Sequence, residues 1–158
     1  MEKIMSEHRA GLRWARTSSD FSYDNYNRAH EVRFKDGNIV LPASSAPQFR
    51  GDHDRVDPEE AFVAACASCH MLSFLAICAR KRLAVDAYED DAVGYLEKGA
   101  SGKLWIARVT LKPRVRFATG MIVDAAALAQ IHHQSHEECF IANSVKAEII
   151  VEPDTRAH

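Results

Sequence analysis

The chain has 158 residues, of which 47% are hydrophobic and 27% charged, and its formal net charge is −2. That is enough apolar material for a single cored domain over residues 1–158. The near balance of charge excludes a global basic field, so no nucleic-acid partner is expected.

Met1 to Glu7 carries no apolar segment of the secretory kind, so a cytoplasmic location is expected. In that compartment the four cysteines read as buried, catalytic or metal-binding rather than as a disulfide framework. Residues 12–16 and 31–34 read as short strands. Lys35-Asp36-Gly37-Asn38 is a turn and Ile39-Val40-Leu41 the returning strand, because Asp-Gly between two such runs signals a hairpin. Residues 42–56 form a polar loop. A helix then starts sharply: Asp57 can cap it, Pro58 suits its first turn, and Glu60 completes a capping box. From Ala61 to Ala79 it is apolar on nearly every face, and burial on nearly every side is expected. The run is long enough to cross a membrane. His70 within it, and Glu59-Glu60 and Arg80-Lys81-Arg82 at its ends, favour a core helix, so no membrane partner is expected.

Alternation in 85–96 and again in 104–117 predicts a long antiparallel pair turning at Gly99 to Gly102. Asp124 can cap a second helix over 125–134, Cys139 follows in a short turn or helix, and 145–151 alternates as a last strand. The order β-β-β-α-β-β-α-β argues for α+β with antiparallel sheet.

Cys66-Ala67-Ser68-Cys69-His70 matches the c-type haem attachment pattern. Haem attachment needs an exported chain and open space, and this motif lies inside a dense apolar helix. A thioredoxin-type pair needs a helix N-terminus to lower its thiol pKa, and Cys66 and Cys69 lie two to three turns inside. Zinc is a third possibility: Cys66, Cys69 and His70 could join His132, His133, His136 or Cys139. Adjacent residues on a regular helix cannot face one centre, so the three downstream histidines read as solvated residues at a helix end. Cys66 and Cys78 read as small buried hydrophobes.

Two segments remain: Asp57-Pro58-Glu59-Glu60 with the apolar run that reaches Cys69, and Glu137-Glu138-Cys139 downstream. In this order they resemble the OsmC/Ohr family of hydroperoxide reductases, and the resemblance extends from about Leu12 to Glu152. The chain departs from that family's second site, commonly Cys-Pro-x-Ser, with Cys139-Phe140-Ile141-Ala142. The extra Cys66 and the polar His70 are further departures.

The resemblance implies an OsmC-like fold, with antiparallel sheets around a long buried central helix, in an intertwined homodimer. It implies that Cys69 attacks the peroxide and Cys139 resolves the product, with Glu59 holding an Arg that favours the thiolate. Arg50 is the first candidate for that Arg, Arg28 the second and Arg55 the third. Such a cation is required, because burial alone raises a thiol's pKa. Ten residues of helix span about 15 Å, so Glu59 and Cys69 cannot share a compact site directly. Either the Arg bridges them or a second subunit contributes. The expected activity is reduction of organic hydroperoxides with a dithiol, of lipoyl or similar type, as reductant and without metal or organic cofactor. Phe62, Met71, Leu72, Phe140 and Ile141 are candidates for an apolar wall. The alternatives are an OsmC-like small-ligand-binding protein with inert thiols, and a zinc protein.

Overall fold

The structure, a computed structural model, describes residues 5–154. The chain divides into two compact units, Met1–Ala61 and Phe62–His158, with the long helix running through the boundary.

The first unit is built on a three-stranded antiparallel sheet of β1 (Gly11–Arg13), β2 (His30–Phe34) and β3 (Ile39–Ala43), in that order. Val32 of β2 lies opposite Leu12 on one side and Leu41 on the other. The β2–β3 turn takes Lys35, Asp36 and Gly37 through positive φ, at 53°, 55° and 93°. Glycine and aspartate tolerate that region, which explains why Asp-Gly stands there. The loop from β1 to β2 is pinned by aromatics. Trp14 Nε1 donates to the Asn27 carbonyl at 2.7 Å, and the Arg28 guanidinium lies 3.9 Å over the Tyr26 ring. Before the helix, Gly51 passes so close to the Ser45 carbonyl that a Cβ would lie 1.5 Å from its oxygen.

Helix α1 (Pro58–Arg80) starts at the expected capping box. Asp57 Oδ1 accepts from the Glu60 amide at 2.8 Å, and Glu60 Oε2 accepts from the Asp57 amide at 3.1 Å.

In the second unit the expected long strand pair is present but interrupted on both sides. Strand β4 (Val85–Asp90) pairs with β7 (Pro113–Phe117), while β5 (Val93–Lys98) pairs with β6 (Leu104–Leu111), in separate sheets. The break has a local cause. Asp90 Oδ1 takes the Lys112 amide at 2.7 Å, and Pro113 has no amide to continue the ladder. Helix α2 (Ala125–Glu138) is capped by Asp124, whose Oδ1 accepts from the Ala127 amide at 2.8 Å. Strand β8 (Glu148–Val151) then pairs parallel to β6. The α+β class holds, but this sheet is mixed rather than antiparallel.

Within this unit the first half of α1 packs on β6 and β8: Cys66 clusters with Val109 and Leu111, against Ile149 and Val151. The second half packs on β4, β7 and α2, where Phe74, Ile77 and Cys78 meet Ile131, Tyr88 and Phe117. Gly94 lets β5 approach the helix, since a Cβ there would lie 2.5 Å from Val63 Cγ2. The expected burial of α1 on nearly every side is not met by one chain. Its fully buried residues, Cys66, His70, Phe74, Ile77 and Cys78, form a single stripe. Ala65, Ser68, Leu72 and Ala76 form an exposed face, with Leu72 60% accessible.

Candidate functional site

The inner stripe of α1 faces that of α2, and both are interrupted by polar and sulfur-bearing residues. From α1 come Cys66, Cys69 and His70; from α2 come His132, Ser135 and His136, with Cys139 at its C-terminal cap. All four cysteines are free thiols. The Cys69 and Cys139 side chains are neighbours, near enough for the Cys69 thiol to act on the Cys139 thiol. Cys69 is half-buried, whereas Cys139 is 1% exposed. Burial first, and then the Cys69 thiol beside it, push the Cys139 thiol up to about 11. Burial and the neighbouring Cys69 also raise Cys66.

Cys139 is held without the proline common at such a site. Its amide donates to the His136 carbonyl at 3.3 Å, and its carbonyl accepts from the Asn143 amide at 3.1 Å. The Ala142 amide points at its sulfur from 3.4 Å. Ser144 Oγ closes the turn on the Phe140 carbonyl at 2.7 Å, leaving the Phe140 ring 82% exposed beside the thiols' segment.

The histidines depart from expectation. His132 is buried rather than solvated, and so is His70. Their rings are parallel to within 7°, and His70 Nε2 and His132 Nδ1 share a 3.0 Å hydrogen bond. Burial is the main cause that brings both down to about 4, followed by His136 for His70 and by His70 for His132. His136 is half-buried, and His133 is the exposed one, 3.4 Å from Glu137. The signal was present in the sequence: His132 lies four residues after Leu128 and seven before Cys139, on the inner stripe of α2.

Residues 51–154 match the OsmC-like protein family. The chain belongs to that family. A solved OsmC-like protein of unknown function from Vibrio cholerae is 43% identical, with a TM-score of 0.89 over 95% of this chain and 100% of that one. The organic hydroperoxide resistance protein OhrB of Bacillus subtilis is 17% identical, with a TM-score of 0.69 over 96% of this chain and 100% of that one. An organic hydroperoxide resistance protein OsmC from Legionella pneumophila is 14% identical, with a TM-score of 0.67 over 96% and 97%. At those two identities the likeness is one of fold. No curated protein matches the chain.

Among the described residues the three candidate arginines have partners other than Glu59. Arg50 pairs with Asp24 at 2.8 Å from a left-handed backbone at φ 63°. Arg28 donates to the Tyr26 carbonyl at 2.7 Å, and Arg55 reaches Asp52 at 3.5 Å. Glu59 itself has no ion pair among the described residues. The zinc alternative gains no support, because among the described residues no three His, Cys, Asp or Glu side chains group as a metal site. Of the apolar wall, Leu72 and Phe140 are exposed, while Phe62, Met71 and Ile141 are half-buried.

Proposed function

We propose that this OsmC-like chain is a thiol peroxidase that reduces organic hydroperoxides to alcohols. One observation carries the reading: two free thiols from separate elements are neighbours, one half-buried and one buried. Similarity in fold to proteins named for organic hydroperoxide resistance supports it. The Cys69 thiolate attacks the distal peroxide oxygen. The O–O bond breaks, Cys69 becomes a sulfenic acid, and the alkoxide leaves and takes a proton to give the alcohol. Cys139 then attacks the Cys69 sulfur, and the sulfenic oxygen departs as water with the Cys139 proton. An external dithiol returns both thiols by exchange.

The exposed Leu72 and Phe140 favour substrates with an apolar organic group. The family resemblance implies that Arg50, oriented by Glu59, favours the thiolate, which requires Arg50 to leave Asp24. Arg50→Ala and Glu59→Gln therefore slow Cys69 oxidation in this reading. A second copy of the chain covers the exposed face of α1, giving a homodimer, and a cytoplasmic setting keeps the thiols reduced. Consumption of cumene hydroperoxide with dihydrolipoamide as reductant tests the activity. Turnover that disappears in Cys69→Ser supports it. A second reading, ligand binding with inert thiols, is favoured by Glu59 having no Arg partner among the described residues, and it predicts no turnover.

A further inference from the structure

The three-stranded sheet of the first unit has two unlike faces. Leu12, Val32 and Leu41 stand in register on one of them. Side chains alternate along a strand, so Gly11 and Arg13 of β1 belong to the other face, opposite Arg33 and Glu31 of β2. Gly11 has no side chain, and a cleft of about 310 Å³ opens beside it. Four cations line that cleft, Arg9, Arg13, Arg33 and Lys35, against one carboxylate, Asp36. Such a concentration runs against the whole chain, whose net charge is −2. The cleft adjoins a wider hollow of about 600 Å³, which shares Arg9 and Lys35 and adds Phe34 and His8.

The four cations are not equally occupied. Arg9 reaches Glu7 at 2.7 Å, and Arg33 Nη1 reaches Glu31 at 2.9 Å. The Arg13 and Lys35 side chains have no hydrogen-bond or ion-pair partner among the described residues. Elsewhere Arg80, Arg108, Arg114 and Arg116 each face a carboxylate. Arg33 is also fixed in place. Its guanidinium lies between Glu31 and the β2–β3 turn, where a Cβ on Gly37 would stand 2.7 Å from Nη2. Gly37, at φ 93°, both makes the turn and leaves room for that group. A guanidinium already held loses less freedom when it binds a ligand.

We propose that this cleft binds the phosphate group of a small phosphate monoester. Guanidinium groups present paired N–H donors that match two oxygens of an oxyanion. The number of donors selects phosphate over carboxylate. Three guanidinium groups and an ammonium exceed what the two oxygens of one carboxylate can accept, whereas a phosphate monoester offers three terminal oxygens and close to two negative charges. Those charges answer Arg13 and Lys35, the two cations without a carboxylate. The cleft is of the size that takes a small molecule rather than a macromolecule. The adjoining hollow at Phe34 receives the organic part of the ester. The site lies wholly within the first unit and is independent of the thiol chemistry.

The test is titration of the full chain with phenyl phosphate, followed by calorimetry and by the amide NMR signals of Gly11, Arg33 and Gly37. Saturable binding at one site per chain is expected, with those three signals moving together. Arg13→Gln and Arg33→Gln should each weaken it about tenfold or more, the loss of a charge-assisted hydrogen bond. Arg116→Gln, on β7, removes the same charge away from the cleft and should leave the affinity unchanged. Gly11→Val fills the cleft without altering any charge. A Cβ there meets only ordinary contact, 3.9 Å from Arg33 Cβ, so the sheet should fold while binding is lost. Thermal melting checks that each variant is folded. Vesicles with and without phosphatidic acid separate the sources of the group. Capture by the acidic vesicles that Gly11→Val abolishes assigns it to a lipid headgroup, and binding of phenyl phosphate alone assigns it to a soluble ester. Benzoate that displaces phenyl phosphate at equal concentration overturns the choice of phosphate. Binding that does not saturate, or that falls equally in Arg116→Gln, overturns the site.

Discussion

Cys69 and Cys139 differ in what surrounds each sulfur, and under the proposed mechanism that difference orders their reactions. Cys69 is half-buried, while Cys139 is enclosed and its thiol is pushed up to about 11. A buried thiol of that kind is a poor first attacker and an adequate second one once a sulfenate stands beside it. Cys139→Ser is therefore expected to leave a Cys69 sulfenate that dimedone traps in a single adduct, and Cys69→Ser to leave none. The imidazoles make a second prediction. His70 and His132 sit at about 4 in the fold, against an ordinary 6.5. Above pH 6.5 the folded and unfolded chains are both neutral at these groups. Between pH 6.5 and 4 the unfolded chain takes up protons that the folded chain refuses, so stability falls as pH falls. The loss is of the order of 3 kcal/mol per imidazole by pH 4. Urea unfolding at stepped pH reads it, and His70→Leu/His132→Leu should flatten the slope across that window.

At the scale of elements, most of the fold was legible because local chemistry fixes it. The Asp57–Glu60 capping box, the Lys35–Gly37 turn and the Asp124 cap each rest on side chains within a few residues. Features that depend on distant partners were not legible. The strand pair of 85–96 with 104–117 breaks because Asp90 captures the Lys112 amide across the ladder, and the parallel pairing of β8 on β6 leaves no local mark. The site divides in the same way. The cysteine pair could be read from two segments in order, whereas the His70–His132 contact joins residues on two helices and needed both inner stripes aligned. Two substitutions test this level. Gly94→Ala puts a methyl against Val63 and is expected to cost about 1–3 kcal/mol by overpacking. Asp57→Ala removes a helix cap and is expected to cost about 1 kcal/mol. Both are read as shifts in unfolding midpoint.

On the scale of the whole molecule, the exposed face of α1 is the feature that a single chain does not account for. A 23-residue helix of this hydropathy, with 28% of its most apolar window buried, leaves Ala65, Leu72 and Ala76 facing outward. Small residues around one leucine suit close approach of a second helix, and the homodimer reading places the second copy there. Leu72→Lys is expected to shift the protein to monomer in sedimentation velocity at micromolar concentration while leaving the cysteines reduced. An unchanged sedimentation coefficient removes that face from the interface. The central claim is the chemistry of the thiol pair. It is tested most directly by intact mass and peptide mapping of reduced protein after one equivalent of cumene hydroperoxide. The account predicts a loss of two hydrogens and a Cys69–Cys139 crosslink within the mixing time, absent from Cys69→Ser. No mass change, or slow oxidation spread over all four cysteines, contradicts it.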